Sequence, residues 1–206
     1  MRRALITVIA VLAVLVLTKA CAWAQIIMQP LQLFVPVGYQ QLPAPLQTGT
    51  VTITIATPAV VTLTNHGYVA GTPVVFTNSG GNLPTGITSG QTYFVIAAGL
   101  TTSAFEIAAT PGGAAIATSG TQAGVQTVTA AAALLTVPSN ARMAVICSEA
   151  QNVRWRDDGI APTATVGMIL ITGGIYGCMT YSGNPLTSMQ FVAATAGAIL
   201  DVSYYR

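Results

Sequence analysis

Val51-Thr52-Ile53-Thr54-Ile55 alternates β-branched apolar residues with threonine in period two, and Pro58 breaks the run shortly afterwards. Alternation of this kind gives one apolar and one polar face, the mark of a half-buried strand. The same signal recurs at short intervals on the C-terminal side. Val60-Val61-Thr62-Leu63 leads to a turn at Asn65-His66-Gly67, and Val74-Val75-Phe76 and Tyr93-Phe94-Val95-Ile96 flank a Gly/Asn/Pro/Ser-rich stretch. Phe105-Glu106-Ile107, Ala114-Ala115-Ile116 and Val125 to Val128 complete the series. Strands spaced by roughly 8–15 residues with turn chemistry between them predict a small barrel or sandwich over 51–129.

A second unit is expected over 130–206. Its strands are read at Leu134 to Val137, Arg142 to Glu149, Asn152 to Arg156, Val166 to Ile171, Ile175 to Tyr181, Ser188 to Ala194 and Ala198 to Tyr205. Asp157-Asp158-Gly159 and Ser182-Gly183-Asn184-Pro185 supply turns. Upstream, residues 25–50 hold Pro30, Pro36, Pro43 and Pro45, too many prolines for a helix, and predict an extended arm lying along its own domain or a neighbouring subunit. The predicted fold class is therefore all-β: two small β-barrel or β-sandwich domains after an N-terminal apolar helix and a Pro-rich arm.

That apolar helix is residues 1–24. Arg2 and Arg3 precede a 14-residue core, Ala4 to Leu17, that is apolar except for Thr7, and Ala22-Trp23-Ala24 places small residues where a signal peptidase reads. As a helix the core would span about 21 Å, against roughly 30 Å of hydrocarbon, so a cleavable signal is favoured over an anchor. Cys21 follows Thr18-Lys19-Ala20, a poor lipobox.

Across all 206 residues, 52% are hydrophobic and only 6% charged, well below the roughly 25% charge of ordinary soluble domains. Disorder and polytopic membrane insertion are both excluded, the first by apolarity and the second because Gly, Pro, Thr or Ser interrupts every later apolar run. Without Arg2, Arg3 and Lys19, four arginines face five carboxylates. No basic stripe remains for nucleic acid. Nor is any lysine left to guard strand edges, which points to surfaces covered by partners, in an obligate oligomer or a larger assembly.

Catalytic chemistry finds little footing. His66 is the only histidine and has one acid, Glu106, in its unit; no GxSxG, HExxH or Walker loop occurs. Asp157 and Asp158, adjacent in sequence, cannot face one substrate as paired carboxylates. We expect no enzyme, cofactor or metal. Arg154-Trp155-Arg156-Asp157-Asp158-Gly159 is the densest polar stretch. In a strand, Arg154 and Arg156 share one face and Trp155 takes the other. Two readings stay open: a salt-bridged hairpin end, or a contact surface built on Arg and Trp. Cys147 and Cys178 are either a disulfide in an exported chain or two separate buried thiols.

Asn65-His66-Gly67, Val69-Ala70-Gly71, Val74-Val75-Phe76, Leu83-Pro84-Thr85-Gly86 and Tyr93-Phe94-Val95-Ile96 together resemble a β module of tailed-phage structural proteins. Phe105-Glu106-Ile107-Ala108, Thr110-Pro111-Gly112-Gly113 and Thr118-Ser119-Gly120 continue it. More distantly the stretch is similar in fold to a small β-barrel half-domain of ubiquitin-activating enzymes. Val137-Pro138, Ala141-Arg142, Val153-Arg154-Trp155-Arg156-Asp157-Asp158-Gly159, Ala161-Pro162-Thr163-Ala164, Val166-Gly167-Met168 and the ending Val202-Ser203-Tyr204-Tyr205-Arg206 resemble a second phage and prophage module. The resemblance implies a virion structural or accessory protein whose partners are itself and other virion proteins. The leader implies the alternative, an exported prophage-derived module that binds a glycan or protein at the bacterial surface.

Overall fold

The computed structural model describes residues 34–173 and 177–206; the leader expected over 1–24 lies outside them. Pro36–Arg206 forms one compact unit, all-β, with no α-helix among the described residues. Among the described residues, fifteen strands make up three sheets: β1 (Pro36–Pro43), β2 (Thr48–Ile53), β3 (Val61–Thr62), β4 (Pro73–Asn82), β5 (Thr92–Val95), β6 (Ala104–Phe105), β7 (Ile107–Ala108), β8 (Ala123–Ala130), β9 (Ala133–Leu134), β10 (Met143–Glu149), β11 (Val153–Arg156), β12 (Met168–Leu170), β13 (Cys178–Ser182), β14 (Gln190–Ala193) and β15 (Ile199–Tyr205). A short 3-10 turn, Asn184–Thr187, follows β13.

Seven strands run in the order β6-β3-β2-β8-β4-β5-β7. The two ends of that order, β6 and β7, are separated in sequence only by Glu106, so one stretch of chain seals both margins and the sheet nearly closes into a barrel. Near-closure leaves only short, two-residue strands at the margins, which limits the open edges that a lysine-free surface leaves unguarded. Inside lie Val51 and Ile53 of β2 with Val61, Val74, Phe76, Tyr93, Val95, Phe105, Ile107 and Val128. The Thr52 side of β2 faces water, as the alternation requires. Ile55 does not continue the pattern: β2 ends at Ile53 and Ile55 is exposed, because the chain turns back and Thr54 N–H donates to Val60 O at 3.0 Å. In the opposite sense, β4 runs on to Asn82, through residues whose Gly and Asn content suggests a turn. A register shift between Ser79 and Asn82, where Gly81 packs on the Ala123 backbone, absorbs the irregularity.

The other eight strands form two four-stranded sheets, β1-β15-β10-β13 and β12-β11-β14-β9. Their inner faces enclose a second core containing Ile146, Leu200, Val202 and Tyr204 from one sheet and Val153, Trp155, Leu170 and Phe191 from the other. This is a β-sandwich. The segment expected as an extended arm supplies an integral strand here: β1 pairs antiparallel along the C-terminal strand β15, from Pro36 opposite Tyr205 to Pro43 opposite Ile199. Proline suits this place, since an edge strand has outward N–H positions that need no partner.

Cys147 and Cys178 stand opposite each other on β10 and β13 with Cα atoms 4.0 Å apart, and they are joined by a disulfide. Ser148 N–H donates to Gly177 O at 2.8 Å, which makes the cysteines a non-hydrogen-bonded pair, the closer of the two antiparallel spacings.

The strap between β1 and β2 binds both cores. Ala44 N–H donates to Ala198 O at 2.9 Å and Pro45 O accepts from Ala193 N–H at 2.9 Å, both on the sandwich. Leu46 N–H donates to His66 O at 2.8 Å and Gln47 O accepts from Ala130 N–H at 2.7 Å, both on the barrel. Gly67 sits beneath it at φ +67°, where a Cβ would lie 2.5 Å from Ala44 O. Gly67→Ala is expected to lower the unfolding free energy by at least about 1–3 kcal/mol in chemical denaturation, since both the left-handed backbone and the contact resist a side chain. Reduction of the Cys147–Cys178 bond, which spans 31 residues of sequence, is expected to cost about 2–4 kcal/mol in the same assay.

Candidate functional site

β11 lies between β12 and β14, and this central position sorts the Arg154–Asp158 stretch. Trp155 turns inward, almost wholly buried, with its ring edge-on to Tyr181 at 5.8 Å between centroids. Arg154 and Arg156 take the opposite face, half-buried. Arg154 Nη1 donates to Gly167 O at 2.9 Å, clamping the loop that leads into β12, while its buried Nε has no partner among the described residues.

The two aspartates diverge. Asp158 accepts from Arg156 Nε at 3.0 Å and from Arg156 Nη2 as a second bond, and its Oδ1 also takes the Ile160 N–H at 3.1 Å. The Arg156 guanidinium holds the Asp158 carboxyl at about 2, well below the usual carboxylate range. Asp157 turns the other way: its carboxylate accepts the Tyr181 hydroxyl of β13, in the facing sheet, and its carbonyl accepts Ser188 Oγ at 3.0 Å. Tyr181 is consequently harder to ionise than a free phenol. Gln190 Nε2 closes the turn on Gly159 O at 2.7 Å. The Arg–Asp pairing of the salt-bridged hairpin reading is present, between Arg156 and Asp158. The polar groups are spent on holding the turn, and the exposed remainder is one ion pair beside Ile160.

A second polar group forms on the outer face of the other sheet. Tyr39 OH and Gln41 Nε2, from β1, donate to Asp201 Oδ1 at 2.5 and 2.9 Å, and Gln41 Nε2 also reaches Glu149 Oε2 at 3.5 Å. The Tyr39 hydrogen bond, more than any other contact, holds the Asp201 carboxyl below its ordinary value. Sequence reading missed this cluster, because its members are 162 residues apart in the case of Tyr39 and Asp201. The only local signal is the outward parity of Asp201 between Leu200 and Val202.

His66 is buried, stacked at a tilt on Tyr68 with centroids 4.7 Å apart and edge-on to Phe105 at 5.1 Å. Its Nδ1 accepts the Tyr68 N–H at 2.9 Å, which assigns the proton to Nε2. Burial lowers its pKa, opposed more weakly by the Ala104 and Thr101 carbonyls. His66 borders a cleft of about 550 Å³ with Pro43, Leu100 and Ile199, and a second cleft of about 490 Å³ lies on the Val69–Pro73 side of the same junction. Neither brings a nucleophile, a base and an orienting acid together. Among the described residues, no group of three or more His, Cys, Asp or Glu side chains is placed to hold a metal ion.

No family model, curated protein or solved structure matches this chain.

Because His66 binds a proton less readily folded than unfolded, stability is full above pH 6.5 and falls as pH drops below it, until the folded group itself titrates. The lowered Asp158 and Asp201 carboxyls act only further down, in the carboxylate range. Denaturation midpoints measured across this upper window should decline for the native chain and stay flat for His66→Gln.

Proposed function

We propose that this chain is a non-enzymatic structural or accessory subunit of a phage virion, a decoration, fibre or tail-associated component working through assembly and surface contacts. Its partners are other copies of itself and other virion proteins, and it engages no nucleic acid. The observation that carries the reading is the division of its surface chemistry. The densest polar stretch, Arg154–Asp158, is consumed inside its own hairpin, while eleven large apolar side chains among the described residues stay exposed. A surface of that kind is suited to being covered by neighbours. The resemblance of Asn65–Gly120 and of Val153–Met168 to phage modules supports the same assignment.

Two domains after an N-terminal apolar segment form part of this proposal. In the virion the segment 1–24 serves as an attachment arm, and the exposed end of the Arg154–Asp158 hairpin is a candidate contact.

The leader-like sequence at 1–24 favours a second reading, an exported module that binds a glycan or protein of the bacterial surface. Intact mass of the native protein separates the two. A full-length chain in purified particles is the expected result, whereas a chain starting at Gln25 and confined to the cell envelope would replace the virion reading with the second.

A further inference from the structure

Exposed apolar residues are not scattered evenly over this molecule. Five of the eleven, Ile160, Val166, Met168, Ile169 and Ile171, fall within one twelve-residue stretch that leads into and through β12. β12 is the outermost strand of its sheet: it pairs with β11 alone, Met168 opposite Trp155 and Leu170 opposite Val153, and no described strand pairs with its other side. Alternate backbone N–H and C=O groups of such a strand point outward and can accept a further strand. The other edges of the two four-stranded sheets differ: β1 begins and ends with proline, β13 is tied to its inner neighbour β10 by the disulfide, and β9 is only two residues long.

The stretch is also held in place rather than left loose. Arg154 bonds Gly167 O, Thr163 N–H donates to Val166 O at 2.9 Å, Val166 N–H donates back to Thr163 Oγ1 at 2.9 Å, and Thr172 N–H donates to Asn152 Oδ1 at 2.8 Å. A surface fixed before binding loses less entropy on association. The stretch itself carries no charge, since no Asp, Glu, Lys, Arg or His occurs anywhere between Asp158 and Asp201; its charged neighbours are Arg154, opposite Ile169 on β11 and bonded to Gly167 O, and the Arg156–Asp158 pair beside Ile160.

We infer that the β12 edge is a homotypic interface, at which two copies of this chain pair antiparallel across a two-fold axis near Ile169. An isologous contact needs a self-complementary surface, and an uncharged strand edge is one, because antiparallel strands present the same donors and acceptors to each other. At the axis the two β12 strands meet without like-charge repulsion, because neither carries a charged side chain. The five side chains together expose on the order of 500 Å², so the paired faces and their rims approach the lower end of the roughly 1,200–2,000 Å² of stable specific interfaces. This inference rests on the assembly reading and names one partner within it.

Sedimentation of the full chain, as its cells process it, tests the interface. The native protein is expected to sediment as a dimer or an even-numbered oligomer. Ile169→Lys, which sets two lysines opposite each other at the axis, should lower the mass twofold. Ile171→Lys, on the same exposed face but outside the strand, should do likewise, and near-ultraviolet circular dichroism of Trp155 against Tyr181 reports whether each variant is folded. Leu134→Lys, on the opposite edge strand β9 of the same sheet, should leave the mass unchanged. A monomeric native chain, folded lysine variants of native mass, or an equal effect of Leu134→Lys would each overturn the inference. Particle incorporation reads the assembly proposal separately. Presence in particles with an oligomer insensitive to Ile169→Lys retires the edge interface alone, and a lysine-sensitive dimer absent from particles retires the virion assignment alone.

Discussion

The strap at Ala44–Gln47 is the constraint on which the rest of this structure depends. Of the four residues between β1 and β2, the first two hydrogen-bond to the sandwich, through Ala198 and Ala193, and the next two to the barrel, through His66 and Ala130. Tyr68 adds a fifth bond, its hydroxyl donating to Leu46 O at 3.0 Å. Such close approach of backbone to backbone is possible only over a residue with no side chain, and Gly67 provides it. The buried neighbours follow from that contact. Ala44 is fully enclosed, His66 is turned inward against Phe105, and Tyr68 is so desolvated that its hydroxyl resists ionisation. Two small cores, each of marginal size for independent folding, are thereby made into one unit.

Scarcity of charge imposes the second constraint. A chain with four arginines and no lysine after residue 24 must treat its strand edges by geometry. In the barrel, Ala104 to Ala108 seals both ends of the sheet order with one kinked segment. In the sandwich, β1 begins and ends with proline and is tied to β15 by the Tyr39 and Gln41 bonds to Asp201, and the Cys147–Cys178 bond pins β13 to β10. The few ionised groups are used locally: Arg156 with Asp158 across a turn, and Asp157 with Tyr181 between sheets. Little charged surface is left over, and the apolar margin at β12 stands out against this economy.

Legibility from sequence varied with the range of the interaction concerned. Val51 and Ile53 declared their burial through period two, and Trp155 its inward direction through parity with the flanking arginines. Ile55 did not, because the chain reverses at Thr54–Val60, and parity carries no information about where a strand ends. The proline-rich 36–43 segment looked like an arm, since proline density speaks of backbone freedom and not of the partner strand 160 residues downstream. At the hairpin, the Arg–Asp pairing was one of two open readings. The identity of the pair was hidden: Arg156 takes Asp158, two residues on, and Asp157 crosses to the facing sheet. The Tyr39–Gln41–Asp201–Glu149 cluster was illegible, being assembled from three separate strands.

The amino-acid sequence by itself determined the all-β class and the inward or outward face of the longer strands, because period-two alternation and turn chemistry are properties of adjacent residues. It also settled that charge would be too scarce to guard the edges. Only the tertiary structure decided the rest: near-closure of the barrel at Glu106, the strap against Gly67, recruitment of β1 to the sandwich, the disulfide register and a β12 margin that no described strand pairs. Each of these depends on which distant segments meet, and that choice is made by the combined burial and hydrogen-bond satisfaction of the whole chain, which no local pattern encodes.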